Sequence, residues 1–362
     1  MVQVVSSLRP RSGSSWLRQV GTWVLVLGNL FGVWIWLVEQ LDEQQQQLIL
    51  SEAPFSSTTA VAANKNITNE PKCLLVFNNG GSQPRPGDDK CLLDVGTSPY
   101  IDLLLKTMVG VPLGGSYNPT NVGKLLKYND RQRTYAQDYP PFGYTMIGKR
   151  RMDNLRASIE EVNRNGIEGD IVDLGVWRGG AMMFAAGVGQ ESNHQRDIHL
   201  FDAFGTIDEY NSDGHGDVKK RDFLSVPLNE VQEAFEYFNL DGPHIHYHVG
   251  LFKDTVPKWK KEYPNRAIAV LRIDGNFYDS YQDAFYYLYE NVPIGGIVIL
   301  DDLSSYQPAV LRFWQDFVKD QGIVEEPVNI DGGAKWFRKK KHVTLDWSKF
   351  RPPQDANVVK KR

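Results

Sequence analysis

Three aspartates at the ends of two apolar runs are the residues of this sequence best placed to do chemistry. Asp274 follows the run AIAVLRI, and Asp301 with Asp302 follows GGIVIL. In a parallel α/β sheet, acidic residues just past such runs emerge together at the carboxyl edge, where ligands bind. Converging carboxylates cannot all remain ionised and unpaired, and a hard divalent cation neutralises them through oxygen ligands. The three aspartates therefore predict a metal site.

Two further loops predict a cofactor site. DLGVWRGG, from Asp173 to Gly180, lies where a first strand turns into a first helix, so its glycines and free N–H groups can approach a ligand closely. The spacing is not the GxGxxG of a dinucleotide fold, and Asp173 suits an ammonium group better than a pyrophosphate. Asp202 ends the next strand in LFDAFG, where a carboxylate can accept both ribose hydroxyls. A purely structural turn and a helix N-cap are the alternatives at the two loops; as a pair, they indicate a nucleoside-bearing cofactor.

Two other polar clusters give weaker signals. The acidic loop 208–217 resembles a calcium loop, but Lys220 stands where such a loop needs a bidentate Glu, so we expect a mobile lid with an exposed His215. Three histidines alternate along a predicted strand and share one face: His244, His246 and His248. A zinc site there is the less favoured alternative, because no cysteine lies nearby.

The elements that must position these residues alternate along the chain. Strands are predicted at DIVDLGV, IHLFDAF, IHYHVGLF, AIAVLRID and GGIVILDD, and helices at RGGAMMFAAGV, 228–238, YQDAFYYLYENV and 308–318. Two amphipathic helices precede them, YIDLLLKTMVG and YTMIGKRRMDNLRASIEEVNRNG, and VNIDGGAKWFRK is predicted to close the domain as a hairpin. Strands alternating with helices indicate βαβ units and a largely parallel sheet.

The N-terminal region predicts a membrane anchor. Val20 to Val38 is uncharged and apolar, and as a helix it spans about 28 Å, close to the thickness of a bilayer core. Arginines precede it and acidic residues follow it, so the positive-inside rule places the N-terminus in the cytosol. Trp34, Trp36 and Leu37 do not fit a signal-peptide cleavage site.

Two features agree with a luminal location of the remainder. Asn66 opens a glycosylation sequon, and Cys73 and Cys91 could pair in an oxidising lumen. We therefore expect a single-pass type II membrane protein of the Golgi or endoplasmic reticulum. The net charge of -4 and the pI near 6.0 disfavour nucleic acid as a partner.

The ordered motifs of the chain resemble those of a known family. YTMIGKRRMDNL, DLGVWRGG, FDAFG, VGLFKDTVP, AVLRIDGNFYDS and GGIVILDDL follow one another as in the macrocin O-methyltransferase (TylF/MycF-type) family, over about residues 98 to 338. The resemblance implies an α/β fold, a Rossmann-like class I methyltransferase with a largely parallel seven-stranded sheet. It also implies S-adenosylmethionine and Mg²⁺ as cofactors, and the hydroxyl of a sugar on a small molecule as acceptor.

The resemblance assigns roles by position. Thr145 and Met146 would flank the cofactor, and Asp202 would hold its ribose. The other implied cofactor residues are Asp173, Gly175, Val176, Trp177, Arg178, Gly179, Ala203, Phe204 and Gly250. The implied metal ligands are Asp274, Asp301 and Asp302, with Asp274 also the general base. Two departures stand out: Asp173 replaces the family's usual Glu, and Asn276 replaces the second Asp of its DGD.

These expectations combine into one organisation and one reaction. The chain would comprise a cytosolic tail (1–19), the anchor (20–38), a stem (39–97), a methyltransferase domain (98–341) and a basic tail (342–362). A metal ion would hold two adjacent hydroxyls and lower the pKa of one, while Asp274 takes the proton during in-line methyl transfer. The luminal orientation favours a glycan or glycoconjugate as the sugar-containing acceptor, and a homo-oligomer is compatible with the sequence.

Three alternatives stay open. The first is a metal-dependent methyltransferase of a phenolic or glycosylated natural product. The second is a nucleotide-binding oxidoreductase that uses the same glycine turn. The third is a non-catalytic glycan-binding protein on the same fold.

Overall fold

The computed structural model describes residues 98–118, 121–205 and 223–351. The predicted anchor and stem with Asn66, Cys73 and Cys91, the acidic loop 208–217 with His215, and residues 352–362 of the basic tail lie outside these ranges. Within the described ranges, no helix combines the length and apolarity needed to cross a membrane.

Strands and helices alternate through most of the described chain. The strands are β1 Ser116–Asn118, β2 Asn121–Leu126, β3 Asp170–Leu174, β4 Ile198–Asp202, β5 Ile245–Val249, β6 Ile268–Ile273, β7 Ile297–Leu300, β8 Val328–Asn329 and β9 Lys335–Arg338. The helices are α1 Pro99–Met108, α2 Asp130–Thr134, α3 Lys149–Arg164, α4 Gly180–Glu191, α5 Leu228–Tyr237, α6 Phe252–Glu262, α7 Tyr278–Leu288 and α8 Pro308–Gln321.

The main sheet has seven strands in the order β5-β4-β3-β6-β7-β9-β8. The first five of these are parallel, and the hairpin β8–β9 joins β7 in antiparallel orientation. The predicted largely parallel seven-stranded sheet and its closing hairpin are confirmed. A separate hairpin, β1–β2, was not predicted.

Both faces of this sheet are covered, because successive strand residues point to opposite sides. Ile171 and Val270 belong to one buried cluster with α1, α3, α4 and α5, whereas Val172 and Leu271 belong to a second with α6, α7 and α8. Strands buried on both faces consist of continuous apolar, often β-branched residues, and for this reason β3, β6 and β7 could be predicted from the sequence.

Two predicted elements have different bounds in the structure, and one helix was not predicted. The helix predicted from residue 144 begins at Lys149, because residues 144–148 form a loop that packs on the start of α4. The strand predicted to reach residue 252 ends at Val249, and α6 follows it. This helix contains Pro257 and many charged residues, and it forms because Val256 and Trp259 bury one face against the sheet.

Residues 342–351 also pack on the domain. Leu345 is buried, and Trp347 contacts the rings of Tyr286 and Phe350. Arg351 donates a 2.8 Å hydrogen bond to Asp320 of α8. The folded unit therefore extends beyond residue 341.

Candidate active site

The sheet brings the predicted acidic residues to one edge. Asp173 lies in β3, Asp274 directly follows the adjacent β6, and Asp301 and Asp302 directly follow β7. The ladder continues past the strand ends, since the Asp274 N–H donates to the Leu174 carbonyl at 2.8 Å. The structure thus brings together the three predicted metal ligands and Asp173 of the glycine turn.

Gly175 allows the glycine turn after β3 to lie close to the loop that begins at Asp274. Its φ is +96°, and a Cβ built on it would lie 2.0 Å from the Asp274 carbonyl oxygen. Only a residue without a side chain permits this approach, and the left-handed region is open to glycine at little cost. The glycine turn therefore lies directly against the loop that carries the predicted base.

A buried arginine connects three of the carboxylates. Arg272 of β6 pairs directly with Asp173 in the register of the sheet, and its Nη1 donates to Asp173 Oδ1 at 2.7 Å. Its Nη2 donates to Asp274 Oδ2 at 2.6 Å and lies 3.2 Å from Asp301 Oδ1. The last contact is an ion pair without a hydrogen bond, since Asp301 Oδ1 has no hydrogen-bond partner among the described residues.

A second arginine holds Asp301 from the helical layer. Arg151, in the first turn of α3, donates from Nη1 to Asp301 Oδ2 at 2.6 Å and from Nε to Asp331 Oδ2 at 2.7 Å. Asp331 lies in the loop between β8 and β9. Arg151 therefore ties α3, the end of β7 and the closing hairpin together around Asp301.

The carboxylates differ in their protonation equilibria. Burial and the Asp301 carboxylate raise the pKa of Asp274 well above its ordinary value, and the same two causes raise the pKa of Asp302 to about 6. Burial also raises the pKa of Asp173 to about 6, although Arg272 opposes the shift. Asp301 has a lowered pKa, because Arg151 and Arg272 outweigh its burial. The two guanidinium groups do not neutralise the whole cluster.

Asp202 fixes the glycine turn from the neighbouring strand. Its Oδ2 accepts hydrogen bonds from the N–H groups of Val176 and Trp177, at 2.7 and 3.2 Å, and its Oδ1 accepts from the Phe204 N–H at 3.0 Å. Asp202 thus caps backbone donors of both predicted cofactor loops. Oδ1, with one donor, retains acceptor capacity for a further hydrogen bond.

The loops after β3, β4 and β5 carry the other predicted cofactor residues. They are Gly175, Val176, Trp177, Arg178, Gly179, Ala203, Phe204 and Gly250. Trp177 and Phe204 adopt positive φ angles of 50° and 47°, a strained conformation typical of functional loops. Gly250 donates to the Asp202 carbonyl at 2.9 Å, so the three loops are hydrogen-bonded to one another.

The predicted Thr145 and Met146 lie on a loop packed against this turn. Gly180 N–H donates to the Tyr144 carbonyl at 2.9 Å, and the Met146 carbonyl accepts from the buried Arg133. Arg178 donates from Nη1 to the carbonyls of residues 141 and 143, at 3.1 and 2.9 Å, and its guanidinium lies over the Trp177 ring. Arg178 therefore anchors the preceding loop.

Several residues of the site were not singled out from the sequence. Burial, and next the Asp274 and Asp302 carboxylates, raise the pKa of Tyr139. The Tyr281 hydroxyl donates to the Ile273 carbonyl at 2.8 Å and accepts from the Asp302 N–H at 3.1 Å. Arg272 had a visible signal, a charged residue inside the apolar run IAVLRI.

The carboxylates at this edge are the predicted ligands of a divalent cation. In the described part of the chain, no group of three His, Cys, Asp or Glu side chains is arranged as a formed metal site. The predicted ligands are nonetheless hard oxygen donors of the kind Mg²⁺ binds. The buried Asp301 Oδ1, which lies 3.2 Å from Arg272 Nη2, accepts no hydrogen bond from the described residues. The donor chemistry at this edge therefore fits a divalent cation, which Asp274, Asp301 and Asp302 would hold.

The alternating histidines belong to a different contact network. His246 and His248 stack on His199, with ring centroids 4.7 and 5.2 Å apart. His199 Nε2 lies 3.1 Å from Asp170 Oδ2. This ladder packs against Trp259 of α6.

Comparison with known proteins decides the family. The macrocin O-methyltransferase (TylF) family model matches residues 97–339. The chain belongs to the macrocin O-methyltransferase family. It is 32% identical over 256 residues to demethyldecarbamoylnovobiocin O-methyltransferase of Streptomyces niveus, covering 67% of this chain and 95% of that protein. It is 34% identical over 215 residues to 8-demethyl-8-(2,3-dimethoxy-alpha-L-rhamnosyl)-tetracenomycin-C 4'-O-methyltransferase of Streptomyces olivaceus, covering 57% and 79%.

A solved structure agrees with this assignment. The O-methyltransferase NovP superposes with a TM-score of 0.60 at 30% identity, over 67% of this chain and 98% of NovP. This macrocin O-methyltransferase family member is thus an S-adenosylmethionine-dependent O-methyltransferase, which confirms the predicted enzyme class and the α/β methyltransferase fold. The oxidoreductase alternative is wrong.

Proposed function

We propose that the protein methylates a hydroxyl of a sugar carried by a small molecule. The Streptomyces olivaceus relative, whose name places its reaction on a rhamnosyl-bearing compound, supports this acceptor class. The observation that carries the proposal is the contact of Gly175 with the Asp274 carbonyl, which sets a nucleoside-cofactor turn beside a cluster of carboxylates. A glycan or glycoconjugate is the second candidate acceptor, favoured by the apolar stretch from Val20 to Val38.

The proposal includes a Mg²⁺ ion at the carboxylate cluster. Asp274, Asp301 and Asp302 would hold it, and when bound it would supply the charge that lowers the pKa of a coordinated hydroxyl. The chain fixes two of these ligands through other groups. Arg151 holds Asp301, and the Asn276 N–H donates to Asp302 Oδ2 at 3.0 Å. Both carboxylates are therefore oriented before any ligand arrives.

Asp274 is the proposed general base. Its side chain is partly exposed, whereas that of Asp301 is buried, so an acceptor hydroxyl can reach Asp274 but not Asp301. Burial and the Asp301 carboxylate raise its pKa, which increases its affinity for a proton. Asp274 takes the hydroxyl proton as the carbon–oxygen bond forms and the carbon–sulfur bond of the methyl donor breaks.

Removal of one metal ligand tests the proposal. Asp302→Asn preserves volume and should weaken Mg²⁺ binding at least tenfold, and Asp301→Ala should lower turnover at least a hundredfold, because each loses an anionic ligand. Binding of S-adenosylhomocysteine, measured by calorimetry in the absence of Mg²⁺, should change less than about threefold in either variant. Turnover would be followed as transfer of labelled methyl to a panel of glycosylated small molecules and free glycans. Undiminished Mg²⁺-dependent activity in both variants would refute the metal assignment.

We also propose the membrane topology. A single-pass type II arrangement, with the catalytic domain in the lumen of the Golgi or endoplasmic reticulum, is supported by the charge asymmetry around residues 20–38 and by the sequon at Asn66. In this arrangement the acceptor is a sugar-containing molecule of the secretory pathway.

A further inference from the structure

Arg272 is the only charged side chain of β6, and its guanidinium contacts carboxylates from three adjacent strands. The side chain is 3% exposed. A charge is costly to bury, and replacing buried ion pairs with apolar groups is often neutral or stabilising. Packing therefore does not explain why an arginine occupies this strand position.

The two ends of the guanidinium serve different halves of the site. Nη1 holds Asp173 Oδ1 at 2.7 Å, on the glycine turn, whereas Nη2 holds Asp274 Oδ2 at 2.6 Å, on the acceptor side. A guanidinium is planar and rigid, so the positions of its two partners are geometrically linked. A lysine ammonium is a point charge on a flexible stem and lacks this bridging geometry.

Asp173 also has an unmet hydrogen-bonding requirement. Its Oδ2 is buried and, among the described residues, has no hydrogen-bond partner. A buried carboxylate oxygen without a donor costs free energy until a ligand supplies one. The ammonium group of the methyl donor is a ligand of that kind.

We propose that Arg272 is a positioning residue that couples the cofactor half of the site to its metal and acceptor half. A ligand ammonium that binds Asp173 fixes this carboxylate, and through the guanidinium it fixes Asp274 in the orientation that binds the cation. The inference rests on the proposed function, since it takes Asp274 as metal ligand and base. Ordering by the first ligand leaves less to be ordered by the second, so the two should bind cooperatively.

The test measures Mg²⁺ binding with and without S-adenosylhomocysteine, whose ammonium and carboxylate charges cancel. In the unmodified full chain, saturating S-adenosylhomocysteine should lower the Kd of Mg²⁺ at least threefold. In Arg272→Lys, which keeps the charge and loses the bridge, this change should fall below about 1.5-fold, and kcat should drop at least a hundredfold with a smaller change in KM.

Arg266→Lys is the matched control. Arg266 also bridges two carboxylates, Asp170 and Asp197, but at the amino ends of β3 and β4. Its substitution should leave the Mg²⁺ response to S-adenosylhomocysteine within a factor of 1.5 of the unmodified value.

The outcomes separate the inference from the proposed function. Failure of the unmodified chain to bind Mg²⁺ would contradict the proposed metal site itself. If S-adenosylhomocysteine leaves the Kd of Mg²⁺ unchanged in the unmodified chain, the coupling is overturned, even if Arg272→Lys fails to fold. Coupling retained in a folded Arg272→Lys protein would overturn the role of the arginine.

Discussion

Substitution of Gly175 by alanine is the sharpest test of the site geometry. The new Cβ would lie 2.0 Å from the Asp274 carbonyl oxygen, far inside van der Waals contact, and φ at this position is +96°. The left-handed conformation costs about 1–2 kcal/mol for a residue with a Cβ, and overpacking adds about 1–3 kcal/mol. The total of about 2–5 kcal/mol requires the turn and the Asp274 loop to separate.

Gly166→Ala separates these two costs. Gly166 also has a positive φ, +62°, but a Cβ there would meet no atom within 4 Å. Gly166→Ala should therefore lower the free energy of unfolding only by the conformational cost, about 1–2 kcal/mol. At roughly 2–4 °C per kcal/mol for a domain of this size, Gly166→Ala should lower Tm by about 2–8 °C, and Gly175→Ala should lower it further.

The assay combines thermal unfolding with calorimetric binding of S-adenosylhomocysteine and Mg²⁺. Gly175→Ala should weaken both ligands at least tenfold, because the separated loops carry Asp173 and Asp274, whereas Gly166→Ala should weaken neither. A Gly175→Ala protein that matches Gly166→Ala in Tm and binds both ligands normally would refute the contact between the turn and the Asp274 loop.

Two further predictions concern other parts of the chain. Burial, and next the Asp279 carboxylate, raise the pKa of Asp283 to about 7. Its value in the unfolded chain is 3.8, so ionisation of Asp283 lowers the free energy of unfolding as the pH rises from about 4 through 7. Asp283→Asn should therefore stabilise the protein at pH 8 by roughly 1–2 kcal/mol after allowance for solvent screening, with little effect at pH 4, and urea unfolding showing equal gains at both values would contradict this. Expression in a eukaryotic secretory pathway should give a glycosidase-sensitive mass shift that Asn66→Gln abolishes; an absent shift, with the C-terminal region accessible from the cytosol, would overturn the proposed topology.

The sequence predicted the strands that are buried on both faces, because burial requires continuous apolar residues there. The strands β3, β6 and β7 lie between two covered faces, so their apolar runs are continuous and end at the aspartates that mark the site. Helix α6 was missed because Pro257 and its charged residues hide the pattern of its buried face. Its stability comes from tertiary packing of Val256 and Trp259, which local propensity does not report.

The site was only partly readable for a similar reason. The positions of Asp274, Asp301 and Asp302 follow from strand ends, whereas their partners follow from tertiary contacts. Arg151, which donates to Asp301, lies 150 positions before it in the sequence. Asp202 accepts from backbone N–H groups of the turn that follows a different strand, β3. A sequence shows that Asp202 ends a strand, but not which donors surround it.

The balance of charge at the sheet edge gives the arginines a specific role. Arg151 and Arg272 both converge on Asp301, whose pKa they lower, while Asp274 and Asp302 keep raised pKa values beside it. Arg151 and Arg272 thus stabilise the ionised form of the buried Asp301, whereas burial and the Asp301 carboxylate favour the protonated forms of Asp274 and Asp302. Both of these residues are partly exposed, and a cation bound beside them would replace the protons and favour their ionised forms.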